Sequence, residues 1–293
     1  MTIKEIQQKY LNKVSTLDLE IIISSSIRKP REFVLTHPEF KPSFFQVLKI
    51  KRLVRQRIQK KPISQIIGSK EFFGIDFEVT KHTLTPRPET EMIVEDVLKE
   101  ISNESNLISD VIDLGTGSGN IIISIAKNVS AQKNIEFFAT DISKKALKVA
   151  KHNTIRQKLR HKITFIQGNL LEVIIKKYES IFRQSGSIVI TANLPYLSKK
   201  IYIASPRDVV EYEPKSALYS PEEGLQHYRK LLEQIRSIDS HITNHRAAIL
   251  LYMEISPEQK DALEKLVHEE FPNAQIEFQK DLAQKWRIAK VRI

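Results

Sequence analysis

From residue 110 onward the chain alternates short β-branched runs with longer stretches of helical period, and this alternation limits the fold more than any other feature. Val111–Leu114, Ile135–Thr140, Ile163–Gln167, Ile188–Ala192, Ala247–Met253, Ile276–Phe278 and Ile288–Ile293 read as strands, with helical stretches after the first three and the fifth. Strand–helix alternation predicts a mainly parallel sheet with helices on both faces, because each crossover must return the chain to the same edge. The last two runs leave almost no room for a crossover helix and are expected to pair as an antiparallel hairpin. The expected fold class is α/β, with a seven-stranded, mainly parallel sheet.

The preceding segment has a different pattern. Phe44, Val47, Leu48, Val54 and Ile58 recur near the helical period, and Leu19, Ile22 and Ile23 form another apolar face. Pro30, Pro38, Pro42 and Pro62 mark boundaries, since proline lacks an amide proton and clashes with the preceding turn. Glycine is absent before Gly68. A small helical module is expected. Around Phe72-Phe73-Gly74, followed by Ile75-Asp76-Phe77-Glu78-Val79, apolar and polar residues alternate about a glycine, the pattern of a short β-hairpin. The organisation expected is a helical domain over 1–68, a hairpin linker over 69–84 and the α/β domain over 85–293.

Composition removes several chemistries. None of the 293 residues is cysteine, which excludes disulfides, thiolate metal centres and cysteine nucleophiles. His241 and His245 lie four apart without the intervening glutamate of a zinc-protease helix, so no metal is expected. No apolar run approaches the ~18 residues of a membrane span. The start, Met1 to Gln8, lacks the apolar core of a signal peptide, and a cytoplasmic protein without membrane contact is expected. Lys plus Arg total 46 against 35 Asp plus Glu, a formal net charge of +11. The excess is local. Seven basic residues and no acid lie between Lys49 and Lys61, and eight more with no acid between Lys144 and Lys162. Most basic runs on helices are solvated surface, but these two also fit weak contact with RNA or another anionic surface. A monomer is expected.

Three of the eight glycines fall within Gly115-Thr116-Gly117-Ser118-Gly119, after an apolar strand containing Asp113 and before a helix. Glycine there lets the backbone turn tightly and approach a ligand without a Cβ in the way. Asp141, at the end of the next strand, can accept from both ribose hydroxyls of a nucleoside. The G-x-G-x-G spacing, with no Gly-Lys-Ser/Thr, disfavours phosphate cradling. A ligand with ribose but no phosphate, such as S-adenosylmethionine, is the better fit.

The fourth strand ends in Asn193-Leu194-Pro195-Tyr196. In a doubly wound sheet this turn lies outside the carboxyl ends of the strands, where it faces the glycine loop. Asn193 offers a side-chain carbonyl and Leu194 a backbone carbonyl, which Pro195 biases toward an extended, outward orientation. Tyr196 offers a flat ring. Two acceptors and a ring suit a planar –NH2 group.

With these residues in view, the chain resembles the HemK/PrmC family, the protein-(glutamine-N) methyltransferases that modify the glutamine of the Gly-Gly-Gln loop in peptide-chain release factors. The resemblance runs nearly end to end. Pro62-Ile63-Ser64-Gln65-Ile66-Ile67-Gly68 with Phe72-Phe73-Gly74 resembles the interdomain hairpin, and Pro86-Arg87-Pro88-Glu89-Thr90-Glu91 the family's most recognisable block. Asp113 through Gly119, Asp141 and Asn193 through Tyr196 resemble its cofactor loop, ribose acid and substrate loop. Glu213-Pro214, Ala217-Leu218, Gly224-Leu225, Tyr228-Arg229 and Glu254-Ile255 with Gln259 continue the pattern. The resemblance implies a class I, Rossmann-like methyltransferase that uses S-adenosylmethionine, releases S-adenosylhomocysteine and takes release factors as partners. It implies cofactor contacts from Asp113, Gly115, Thr116, Gly117, Ser118, Gly119, Asp141, Asn169, Leu170 and Asn193. Catalysis and substrate binding would fall to Asn193, Leu194, Pro195 and Tyr196, with Pro86, Arg87, Pro88, Glu89, Thr90 and Glu91 in a loop beside cofactor and substrate. The helical module would dock the protein substrate. Four departures stand out: Leu194 replaces a proline, Asn169 an acid, and Ser220-Pro221 and Ser256 glycines. None removes a required chemical group.

Two other functions are compatible with parts of the chain. A nucleic-acid adenine methyltransferase would also need a pocket for a planar amino group, and Asn-Leu-Pro-Tyr resembles the substrate loop of rRNA adenine dimethyltransferases. A non-catalytic, ribosome-associated module could keep the fold without turnover. The Pro-Arg-Pro-Glu-Thr-Glu block and the intact substrate loop weigh against both.

Overall fold

The computed structural model describes residues 1–130, 132–177, 186–242 and 248–293. His245 and Ala247 lie outside these, as does the side chain of His241. The chain forms two compact units: Met1–Ser69 with Pro206–Tyr212, and Lys70–Ser205 with Glu213–Ile293.

The first unit contains α1 (Ile3–Tyr10), α2 (Thr16–Ile27), α3 (Arg31–Thr36), α4 (Phe44–Ile58) and α5 (Ile63–Ile67). Thr2 with Glu5 and Ser43 with Gln46 form capping boxes, and the Ser15 side chain accepts from the Asp18 amide, so three helix starts have their free N–H groups satisfied locally. Leu19, Ile22 and Ile23 are buried together with Ile3, Ile6, Ile50, Leu53 and Val54. On α4 the inward face differs from expectation. Phe44, Leu48 and Ile58 are exposed, while Ile50, Leu53 and Val54 are buried and Val47 packs beside them. Two apolar stripes share the helical period here, and packing against the other helices selects one of them. Gln65 donates to the Tyr212 carbonyl at 2.9 Å and the Tyr212 hydroxyl to the Gln59 carbonyl at 2.8 Å, tying the 206–212 segment into this unit.

The second unit opens with the hairpin β1 (Ser69–Phe72) and β2 (Ile75–Glu78). Phe73 (φ 51°) and Gly74 (φ 68°) both lie in the left-handed region, the requirement of a tight two-residue hairpin turn. There follow α6 (Glu91–Ser102), β3 (Ile108–Leu114), α7 (Asn120–Asn128), β4 (Glu136–Asp141), α8 (Lys144–Arg156), β5 (Ile163–Gln167), α9 (Glu172–Lys177) and β6 (Ser187–Ala192). After α10 (Lys199–Ala204) and α11 (Arg207–Tyr212, within the first unit) come α12 (Gln226–Ile242), β7 (Ile249–Glu254), α13 (Lys260–Glu270), β8 (Gln275–Lys280) and β9 (Trp286–Arg292).

The seven-stranded sheet has the order β5-β4-β3-β6-β7-β9-β8. Pairing is parallel from β5 through β7, and β9 runs antiparallel to both β7 and β8, as the short link between the last two strands requires. Every residue of β6 and β7 is buried, since helices cover both faces there, whereas the edge strand β8 is partly exposed throughout. Successive residues serve opposite layers. Ile112, Ile190 and Leu251 pack with Tyr228, Leu232 and Leu263, while Val111, Val189 and Leu250 pack with Ile93, Val97 and Ile122. Phe72 and Phe77 of the hairpin join the second layer. The eight basic side chains between Lys144 and Lys162 are all exposed; in the other basic run Arg57 is paired with Asp18 at 2.7 Å.

Candidate active site

The sheet reverses its winding between β3 and β6, and the loops that leave these strands and their neighbours surround a cleft of about 250 Å³. That is where a doubly wound sheet leaves room for a ligand, because the flanking connections depart in opposite directions. Gly115, Thr116, Gly117 and Ser118 line it after β3, Asp141 after β4, Gly168, Asn169 and Leu170 after β5, and Asn193, Leu194 and Pro195 after β6. Asp113, Gly119, Tyr196 and the block Pro86 to Glu91 do not line it.

The glycine loop is left-handed at Gly115, Gly117 and Gly119. A Cβ on Gly119 would come within 2.8 Å of the Ile123 side chain and 3.2 Å of Ala150, so this glycine lets α7 pack against α8. At Gly115 a Cβ would meet Leu194 Cδ2 at 3.1 Å. The leucine that departs from the family pattern thus fills the space beneath the glycine turn, and its side chain is buried.

Two aspartates, Asp113 next to last in β3 and Asp141 last in β4, have different surroundings. Asp113 is fully buried. The Thr116 hydroxyl donates to Oδ2 at 2.6 Å and the Thr191 hydroxyl to Oδ1 at 2.8 Å, so it anchors the loop from below. Burial pushes its carboxyl up to about 6, against the opposing effect of these hydrogen bonds. Asp141 faces the cleft. It accepts from the Gly117 amide at 3.0 Å through Oδ2 and from the Ser143 amide at 2.7 Å through Oδ1. Burial raises its carboxyl too, and the two amide donors counter this.

The turn after β6 is held by a residue to which the sequence pattern assigned no role. Glu254, the last residue of β7, is 2% exposed. Its Oε2 accepts from Asn193 Nδ2 at 2.9 Å and from the Thr90 hydroxyl at 2.5 Å; its Oε1 accepts from the Tyr196 hydroxyl at 2.9 Å. Asn193 Nδ2 also donates to Thr90 Oγ1 at 3.2 Å. The Tyr228 hydroxyl donates to the Glu254 backbone carbonyl. Burial raises the Glu254 carboxyl above the ordinary glutamate range, with the Thr90 and Tyr196 hydrogen bonds opposing. Asn193 Oδ1 is buried and has no hydrogen-bond partner. Tyr196 is fixed at its other end as well, where Gln259 Nε2 donates to its carbonyl at 3.0 Å and to the Glu223 carbonyl at 3.1 Å.

The block from Pro86 to Glu91 reaches this network without entering the cleft. Thr90 is its contact with Glu254 and Asn193. Arg87 pairs with the buried Glu213 at 2.6 Å, and Glu91 accepts from the Phe73 amide at 2.9 Å, which ties the block to the hairpin turn. A signal for Glu254 is present in the sequence: an acid ends an apolar strand there, as at Asp141, and Asp113 stands one residue before the end of its own strand. His227 also went unassigned. It lines the cleft beside Ser220 (Nδ1 to Oγ 2.8 Å), and burial followed by nearby Lys230 lowers its pKa.

The parallel sheet, its antiparallel end and the cleft at the winding reversal define a class I methyltransferase. A family model for a methyltransferase domain matches residues 108–210. Solved structures with the same fold include the hMettl16 catalytic domain in complex with a 3′UTR hairpin (TM-score 0.54, 13% identical, 82% of this chain and 79% of that one). A human methyltransferase 10 domain containing protein has a TM-score of 0.50 at 15% identity, over 75% of this chain and 88% of that one. At the sequence level, release factor glutamine methyltransferase of Flavobacterium psychrophilum is 37% identical over 217 residues, covering 73% of this chain and 71% of that protein. The Lactococcus lactis protein of the same name is 32% identical over 248 residues, covering 84% and 83%. The chain belongs to the release factor glutamine methyltransferase family.

Among the described residues, no helix is long and apolar enough to cross a membrane, and no three His, Asp or Glu side chains are grouped to hold a metal ion.

Proposed function

We propose that this protein transfers a methyl group from S-adenosylmethionine to the side-chain amide nitrogen of the glutamine in a release factor's Gly-Gly-Gln loop. The observation that carries the reading is the Asn193 amide: Nδ2 is engaged by Glu254 and Thr90, while Oδ1, a buried atom of a residue that lines the cleft, is an acceptor without a donor. A buried acceptor of this kind is costly unless a ligand supplies the donor.

The residues around the cleft fit the cofactor. Each Asp141 oxygen accepts one backbone N–H and keeps a lone pair, enough for two ribose hydroxyls. Gly117 leaves open space where a side chain would stand, since a Cβ there would meet nothing closer than the Gly115 carbonyl at 3.8 Å. Thr116, Ser118, Asn169 and Leu170 complete this side of the cleft, with Asp113 and Gly119 supporting the loop from outside it. When bound, S-adenosylmethionine supplies a methyl group activated by its sulfonium.

An amide nitrogen is a poor nucleophile because its lone pair is delocalised into the carbonyl. Asn193 Oδ1 and the Leu194 carbonyl would hold its two protons, localising negative charge on nitrogen where the transition state requires it; as the nitrogen–methyl bond forms the methyl–sulfur bond breaks, and one of the two held protons then leaves to solvent. Pro195 stiffens the turn. Tyr196, anchored through its hydroxyl, would flank the amide plane with its ring and limit the direction of attack. The helical unit would dock the release factor; exposed Phe44 and Phe45 beside Lys51, Arg52 and Arg55 give it apolar and cationic anchors.

Methyl transfer from labelled S-adenosylmethionine to a release factor, a Gln→Ala loop variant of it and deproteinised rRNA, run in parallel, tests the proposal. Label on the release factor that disappears in the loop variant is the expected result. Label on RNA alone would assign the site to an adenine amino group.

A further inference from the structure

The buried Glu254 carboxylate lies outside the cleft, yet both ends of the Asn193 to Tyr196 turn hang on it. It receives three side-chain donors, from Asn193, Thr90 and Tyr196. An ionised carboxylate accepts at both oxygens, whereas a primary amide donates at one end and accepts at the other. Against Glu254 Oε2, therefore, the Asn193 amide has one permitted orientation, with Nδ2 toward the carboxylate and Oδ1 turned away from it. The reverse orientation would press two acceptor oxygens together in a buried site. Thr90 reinforces the choice. Its hydroxyl proton is committed to Oε2 and its oxygen accepts from Asn193 Nδ2, so it too rejects an inward Oδ1.

We propose that Glu254, supported by Thr90 of the Pro86–Glu91 block, is a positioning residue that locks the Asn193 amide with Oδ1 toward the substrate. The inference rests on the reading of Asn193 as an acceptor for the substrate amide. Neither Glu254 nor Thr90 lines the cleft, so both act through Asn193 and Tyr196. The Pro86–Glu91 block thereby acquires a role, since Arg87 and Glu91 moor the loop that delivers Thr90.

The test uses the full chain with labelled S-adenosylmethionine and a release factor, comparing wild type, Glu254→Gln, Asn193→Ala and the double variant. Glu254→Ala would empty a buried site and endanger folding, so the near-isosteric glutamine is the working substitution. Its carboxamide must turn an NH2 toward either Asn193 or Tyr196, and the amide orientation is no longer enforced. Expected are a fall in kcat of about tenfold, an S-adenosylhomocysteine Kd within about twofold of wild type, and no further fall when the change is added to Asn193→Ala. Equal factors in both backgrounds would mean a merely structural role and overturn the inference, as would wild-type kcat in Glu254→Gln. Wild-type turnover in Asn193→Ala would instead overturn the reading of Asn193 itself, and this inference with it.

Discussion

Asn193 Nδ2 lies 2.9 Å from Glu254 Oε2, across 61 residues of sequence, because the two residues stand at the ends of neighbouring parallel strands, β6 and β7. A carboxylate in that position takes the nitrogen end of the asparagine amide and leaves Oδ1 without a partner. The orientation of that amide is therefore set by a residue outside the turn.

Removing the Asn193 side chain should chiefly affect turnover. Asn193→Ala is expected to lower kcat about 100-fold, the usual scale for losing one preorganised polar contact to a developing charge. Calorimetric binding of S-adenosylhomocysteine should be little changed. A parallel loss of cofactor affinity would place Asn193 in the cofactor site instead.

Asp141 should matter for binding rather than turnover. In Asp141→Asn the carboxamide turns an NH2 toward either the Gly117 or the Ser143 amide, which both donate. S-adenosylhomocysteine Kd is expected to rise at least about tenfold, the equivalent of ~1.4 kcal/mol. Unchanged affinity would remove Asp141 from the ribose contact.

Gly224 (φ +90°) is a steric test of the turn. A Cβ there would lie 2.1 Å from the Tyr196 carbonyl oxygen and 2.3 Å from Gln259 Nε2, and the first of these is backbone that cannot step aside. Gly224→Ala should cost about 2 kcal/mol of stability through combined strain and a broken hydrogen bond. Urea titration measures this, and methyl transfer should fall in the same variant because Tyr196 is displaced.

Asp113 predicts a pH effect with a definite sign. Its carboxyl is raised from 3.8 to about 6 by burial, so between those values the native chain holds a proton that the unfolded chain has lost. Its contribution to stability is present at the acid end and is lost as pH rises through about 6. Asp113→Asn does not titrate. Relative to wild type, the variant should therefore gain on the order of 3 kcal/mol between about pH 4 and about pH 7. Urea unfolding of both proteins at both pH values gives the difference directly; a constant difference would show that Asp113 does not titrate in this window.

Much of this architecture is written in local pattern. Ile188–Ala192 is apolar at every position but Thr191 because the strand is covered on both faces, so run length and spacing announce a parallel sheet. The brief link before Ile288 announces the antiparallel end. Gly115 to Gly119 and Asn193 to Tyr196 are legible for a similar reason: tight turns depend on residues within a few positions of one another. Where two local solutions were equally good, the sequence was silent. On α4 both Phe44–Leu48–Ile58 and Val47–Ile50–Val54 satisfy the helical period, and only the helices packed against it choose the second.

Short windows of sequence sufficed for the layered α/β unit, the helical segment before it, the glycine turn and the turn from Asn193 to Tyr196, because backbone sterics and hydrophobic period govern all four. Chain closure was needed to bring Glu254 to Thr90 across 164 residues and to Asn193 across 61. The same closure put Leu194 on the floor under Gly115 and left Asp113 supporting the loop instead of lining the cleft. Those outcomes depend on which strands become neighbours and which atoms are shut away from water. Strand order and burial are properties of the closed sheet, and no window of sequence contains them.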